Sequence, residues 1–162
     1  MADIVDKNQA VIDFLIACPN IHDNPLYFNL INAQDDAKQF ITSSNDIATM
    51  QRFIDGSVLK TYTFTLIDFK SVTFNPVVKL EDYQNENVYD MANVQEIITW
   101  INEQAELRNY PDFGPDCVVE NMQVTTENPT LNYIDASMSP PLAKYSFTIR
   151  IDYLDKSKML WN

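Results

Sequence analysis

In Lys60-Thr-Tyr-Thr-Phe-Thr-Leu-Ile-Asp68, polar and apolar residues alternate from Thr61 to Leu66. Tyr62, Phe64 and Leu66 fall on one face, Thr61, Thr63 and Thr65 on the other. Tyr145-Ser-Phe-Thr-Ile-Arg-Ile-Asp-Tyr153 repeats the pattern with Tyr145, Phe147, Ile149, Ile151 and Tyr153. A period of two with one apolar face marks antiparallel strands whose other face meets water or polar neighbours. Just before the first of these strands, Asp55-Gly56-Ser57 carries the positive φ tolerance that a tight hairpin turn requires. From Asp46 to Asp155 the chain therefore reads as hairpin, helix, hairpin.

Outward from this frame, residues 3–17 read as a helix. Ile4, Ala10 or Val11, and Phe14 or Leu15 recur near helical spacing, Asp3 and Asp6 favour the N-terminal end, and Pro19 ends it. Tyr27–Ile31 and Gln39–Thr42 suit short strands around the polar turn 32–36. Strand 58–68 is followed by a weaker strand over 72–79, which Pro76 restricts to an edge or a bulge. Residues 82–87 form an acidic loop. Val88 to Leu107 is the strongest helix, with Met91, Val94, Ile98, Ile101 and Ala105 on one stripe and Ile97 beside it. Strands at 117–125 and 143–154 flank a loop over 127–142 that Pro140-Pro141 stiffens. No repeat and no Pro/Gly/Ser-rich linker divides the chain. The expectation is one α+β domain over 1–162, an antiparallel or mixed sheet with helices packed on it, and an extended apolar tail at 156–162.

Composition excludes several functions. The 162 residues are 46% hydrophobic and carry a formal charge of −12, with 11 basic residues spread thinly. Binding to a phosphate backbone depends on Lys and Arg that displace counterions, so ordinary nucleic-acid binding is not expected. Apolar runs are too short to span a bilayer, and Met1–Lys7 lacks a basic, signal-type start, so synthesis in the cytoplasm is expected. Only Gly56 and Gly114 occur, which removes the Gly-rich phosphate loop, the dinucleotide fingerprint and the nucleophile elbow.

Reactive handles are few. His22 is the single histidine, and Cys18-Pro-Asn-Ile-His22-Asp23 gathers thiol, imidazole and carboxylate. Zinc takes three or four protein ligands, and two beside a helix stop are ordinarily accidental. The serines near turns are ordinarily turn formers, and paired acids such as Asp35, Asp36, Glu81 and Asp82 are ordinarily solvated. Cys18 and Cys117, far apart, read as free thiols, one closing a helix and the other opening a strand. No catalytic residue, metal or cofactor is expected. Trp100, off the main stripe of its helix, packs at the flank of the core or marks an interface. Trp161, in the tail, docks on its own domain or on a neighbour.

Ala17-Cys-Pro19 with Tyr27–Ile31, Phe53-Ile-Asp-Gly-Ser-Val-Leu-Lys-Thr-Tyr-Thr-Phe64, and Trp100-Ile-Asn-Glu-Gln104 running into Asn109-Tyr-Pro111 and Gly114 follow one another in a telling order. Leu131-Asn-Tyr-Ile-Asp135 and Ala143–Tyr153 complete it. Together they resemble the tail-terminator or minor tail proteins of long-tailed phages of Gram-positive bacteria, a family also described as minor capsid proteins. The chain departs from that pattern in the length of 58–86 and in the tail after Asp155.

The resemblance implies a structural, non-enzymatic virion protein. Copies would close into a six-fold ring at the head-proximal end of the tail tube and join it to head-completion proteins. DNA would pass through without specific binding. Six acidic subunits would repel phosphate in such a channel and also repel one another, so self-association alone is expected to be weak, with salt favouring the ring by screening. Glu81, Asp82, Glu86, Trp100, Trp161 and the loop 127–142 are the candidate lumen or subunit contacts. The alternatives are a head–tail neck protein and an acidic mimic of DNA that occupies a nuclease, although the scattered acids show no phosphate-like rows.

Overall fold

The two alternating segments lie side by side. In the computed structural model, which describes residues 2–21, 26–28, 39–71, 94–125, 130–135 and 142–160, β3 (Val58–Ser71) pairs with β6 (Leu142–Asp155) antiparallel over its full length. The register runs unbroken from Val58↔Asp155 to Ser71↔Leu142. β2 (Gln39–Arg52) joins β3 through the turn at 53–57, and β1 (Leu26–Phe28) pairs parallel with the start of β2. On the other side of β6, one edge is shared end to end. β5 (Thr130–Asp135) takes residues 142–146 and β4 (Cys117–Val124) takes 149–155. At their junction the Thr125 amide and hydroxyl both donate to the Thr148 carbonyl, at 2.9 and 3.2 Å. The sheet is therefore mixed, and the fold is α+β.

One face of this sheet carries the core. Tyr62, Phe64 and Leu66 of β3, Met122 of β4, and Tyr145, Phe147, Ile149, Ile151 and Tyr153 of β6 are buried on it. Helix α1 (Ala2–Ile16) adds Val11 and Leu15, followed by Cys18 and Ile21; α2, helical over 94–106, adds Val94, Ile97, Ile98 and Ile101. Asn20 donates to Glu96 at 2.7 Å and Phe14 stacks on Trp100 at 5.0 Å, so the end of α1 meets the start of α2 and the helices run in opposite directions. The Tyr62 hydroxyl donates to the Asn8 side-chain oxygen Oδ1, tying β3 to α1. Burial pushes that phenol's pKa well above its ordinary value.

The opposite face is polar and internally bonded. Thr61 and Arg150 both donate to one carboxylate oxygen of Asp152, at 2.7 and 2.9 Å, and the Thr65 and Thr148 hydroxyls meet at 3.1 Å. Thr61–Asp152 and Thr65–Thr148 are directly opposed pairs of the β3–β6 register, and Arg150 reaches Asp152 two residues along the same face of β6. α2 stops where Arg108 adopts φ 55°, a left-handed cap made here without glycine. Asn109 then returns its amide to the Gln104 carbonyl at 2.9 Å.

Two expectations change. β2 is one strand of 14 residues that runs on from the short strand expected at 39–42 to Arg52, at the turn. Its register shifts at Ser43/Asp46 and Thr49/Gln51, and each extra residue breaks the period of two that reveals a strand. Within the expected loop 127–142, residues Thr130–Asp135 form β5, an edge strand with its own shift between Leu131 and Tyr133. The expected strand 72–79 and the first turns of the helix from 88 lie outside the described residues, as does His22.

Candidate functional site

The hairpin end of the sheet gathers the most chemistry. The turn closes through Phe53 N–H to the Ser57 carbonyl at 2.9 Å and Gly56 N–H to the Phe53 carbonyl at 3.1 Å. Asp55 accepts from the Ser57 hydroxyl and amide at 2.6 and 2.9 Å, and the hydroxyl, then the amide, holds its carboxyl below the usual carboxylate range. Residues 156–160 leave β6 and cross this turn. Lys156 N–H donates to the Asp116 carbonyl and Leu160 N–H to the Asp55 carbonyl, both at 2.7 Å. Gly56, at φ 91°, makes the crossing feasible, because a Cβ there would sit 2.2 Å from the Lys158 carbonyl oxygen.

Beside the crossing, a cleft of about 530 Å³ is lined by Lys7, Lys60 and Lys158 on one hand and Asp112, Asp116 and Asp155 on the other. Lys7 lies at its floor and is only 2% exposed. Its ammonium lies 5.6 Å from the Phe113 ring centre and 5.2 Å from that of Tyr153, and the two rings meet edge to face at 5.1 Å. An ammonium against two aromatic faces is attracted by their quadrupoles, which offsets part of its desolvation. Lys7 occupies the inward stripe of α1, four residues before Val11 and eight before Leu15, as its one buried charge among apolar positions of the described residues.

At the rim, Lys60 pairs with Asp155 at 2.8 Å. Burial opposes ionisation of Asp155. The hydrogen bond from Lys60 and those from the Ser157 hydroxyl and amide outweigh it and hold the carboxyl at about 2. A folded value below the unfolded one, near 3.9, means this stabilisation is complete above about pH 4 and disappears as pH falls towards 2. Asp155→Asn should therefore lose about 1 kcal/mol at neutral pH, given solvent screening at the rim. Between pH 4 and 2 it should lose stability less steeply than the wild type. Urea titrations at a series of pH values measure both effects, and parallel curves would refute the assignment.

The cleft balances its charges within itself, and among the described residues no three of His, Cys, Asp or Glu come together to hold a metal ion. Cys117 lines it half-buried, while Cys18 is fully buried after α1, where desolvation raises its thiol pKa. No described helix is long and apolar enough to cross a membrane.

The same end also exposes apolar side chains to solvent. Ile54, at the turn, is 95% exposed, and Phe53, Met50 and Leu160 are exposed around it. Arg52, Lys60 and Lys158 line a small cleft beside Gly56 and Val58 together with Asp155, whereas Phe53 lines another with Asp55, Leu59 and Glu120.

Of the single residues expected from sequence as contacts, Trp100 is among the described residues. Trp100 is half-buried against Phe14 and packs at the flank of the core. Glu81, Asp82, Glu86 and Trp161 lie outside the described residues. The tip escaped sequence reading because Arg52, Lys60 and Lys156 are scattered along the chain, and only the hairpin and the β3–β6 register unite them. Ile54 beside Asp55-Gly56 was the available signal, an isoleucine in a turn that has no core to enter. Compared with known proteins, the chain matches no protein-family model, and no curated protein sequence matches it.

Proposed function

We propose that this chain is a structural virion protein whose copies form a ring at the head-proximal end of a phage tail tube, capping it and meeting the head-completion proteins. The observation that carries this reading is the exposed apolar tip of Phe53, Ile54 and Leu160, mounted on a hairpin of two 14-residue strands. Large apolar groups held in water on a rigid element are features of assembly surfaces, not of solvated turns. The tip also falls within the segment Phe53–Phe64, which resembles the terminator family. The polar, hydrogen-bonded face of the sheet and the formal charge of −12 suit a wall past which DNA slides without adhering.

Light scattering of the purified chain, alone and with tail-tube protein, tests the proposal. A ring mass, or capture at one end of the tubes, is the expected result. A monomer indifferent to tubes would overturn the terminator reading and direct attention to the neck.

A further inference from the structure

β6 ends at Asp155, the last of its residues paired on both sides, with Val58 of β3 and Cys117 of β4. Beyond it, residues 156–160 belong to no strand. Two backbone hydrogen bonds tie them down, from Lys156 N–H to the Asp116 carbonyl and from Leu160 N–H to the Asp55 carbonyl, both at 2.7 Å. A third, from Met159 N–H to the Lys156 carbonyl at 3.1 Å, stays within the segment and makes it a turn that moves as one piece. Lys156, Ser157, Lys158 and Leu160 are exposed, and no residue of the segment belongs to the core cluster. Segments with few buried apolar contacts and hydrogen bonds near solvent open at a fraction of the free energy of global unfolding.

The start of this segment is also a partition. Asp155, Ser157 and Lys158, with Lys60 of β3, line the cleft of about 530 Å³ above Lys7. The same four residues line a smaller cleft of about 150 Å³ shared with Thr49, Arg52, Gly56 and Val58. Asp155 fixes the point of departure. One of its carboxylate oxygens accepts from the Lys60 ammonium at 2.8 Å, the other from the Ser157 amide at 2.9 Å. Farther along, the Lys158 carbonyl rests in the space that a side chain at Gly56 would fill.

We infer that residues 156–160 are a strap that opens as a unit while the sheet stays intact, with Lys60, Asp155 and Ser157 as its lock and Gly56 as its seat, and that opening joins the two clefts into one chamber over Lys7. Closed, the strap clamps two loops together, because Lys156 bonds to the segment before β4 and Leu160 to the hairpin turn. Open, it releases both and removes Ser157 and Lys158 from the wall of the larger cleft. This opening is a property of the single chain and is independent of the ring reading above.

Two thiols report on it in the full chain. Cys117 lines the larger cleft half-buried beside the strap, and Cys18 is fully buried in the core. A bulky maleimide should label Cys117 at a rate nearly flat in low urea, because lifting so short a segment exposes little surface. Cys18 should wait for global unfolding and accelerate steeply, and without urea it should be slower by about a hundredfold or more. Asp155→Asn, which undoes the lock, should speed Cys117 about tenfold and leave its rate flat in urea. Gly56→Ala, which cannot seat Lys158, should do the same. In hydrogen exchange the Lys156 and Leu160 amides should share one protection factor, far below that of the paired amides of β3 and β6, and Asp155→Asn should lower both equally.

A Cys117 rate that climbs with urea in parallel with Cys18 would overturn the inference, since strap and sheet would then open together. Unequal protection of Lys156 and Leu160 would also overturn it, by showing that the segment frays from its end. So would a Cys117 rate that Asp155→Asn leaves unchanged.

Discussion

Gly56→Ala should destabilise the protein by about 2–4 kcal/mol, far more than a surface glycine ordinarily does. Two costs combine. At φ 91° any side chain is strained, at about 1–2 kcal/mol. The added Cβ would also lie 2.2 Å from the Lys158 carbonyl oxygen, and that atom is backbone, so no rotamer change relieves the overlap. The crossing segment must lift, which endangers the Leu160–Asp55 and Lys156–Asp116 hydrogen bonds. Gly114 supplies the control. Its φ is 99°, yet a Cβ there meets nothing within 4 Å, so Gly114→Ala should show the backbone strain alone. Urea midpoints of the two variants separate the effects. Equal losses would mean that residues 156–160 do not press on the turn.

Phe113→Ala should cost about 3–5 kcal/mol, the range for removing a buried aromatic ring. Phe113 belongs to neither a helix nor a strand, and loop residues ordinarily tolerate change. This one is only 7% exposed and reaches into the core, edge to face with Tyr153 at 5.1 Å and with Tyr62 at 5.7 Å. Removing it opens a void and leaves the Lys7 ammonium without one of its two aromatic faces. Phe113→Leu keeps much of the volume but loses the ring, so its difference from the alanine variant reports the cavity. Leu107→Ala, six residues earlier and exposed, should stay within about 0.5 kcal/mol of wild type by the same thermal or urea measurement. A Phe113→Ala variant as stable as that would show that the loop merely rests on the sheet.

Much of the architecture was legible because β3 alternates over Thr61–Leu66 and β6 over Tyr145–Tyr153, and because Val94, Ile98 and Ile101 keep helical spacing. Legibility failed where the backbone itself departs from periodicity. The shifts in β2 make Thr42–Asp46 look like a polar connection, and β5 is a short edge strand whose irregular residue mimics a loop. The hairpin tip was half legible. Asp55-Gly56 announced the turn, but Lys156 and Lys158 come to it only through the register that sets Val58 against Asp155. Lys7 was hidden for another reason: a lysine on an inward stripe reads as an interruption until two aromatic rings are found over it.

The position of β6 bears on how the chain acquires its shape. It is the last of the described strands in sequence and has neighbours on both sides, β3 along one edge and β4 and β5 along the other. Before residues 142–155 emerge from the ribosome, the β2–β3 hairpin has no partner for Tyr62, Phe64 and Leu66, and β4 and β5 have no strand to join. The sheet must then close by contacts nearly a hundred residues apart, such as Val58 with Asp155. Contacts this distant in sequence slow folding to the millisecond-to-second range and leave an apolar strand edge uncovered meanwhile. The turn would thus acquire its crossing segment only after β6 has been made, because the strand that completes the sheet leads directly into residues 156–160, which bond to Asp116 and Asp55.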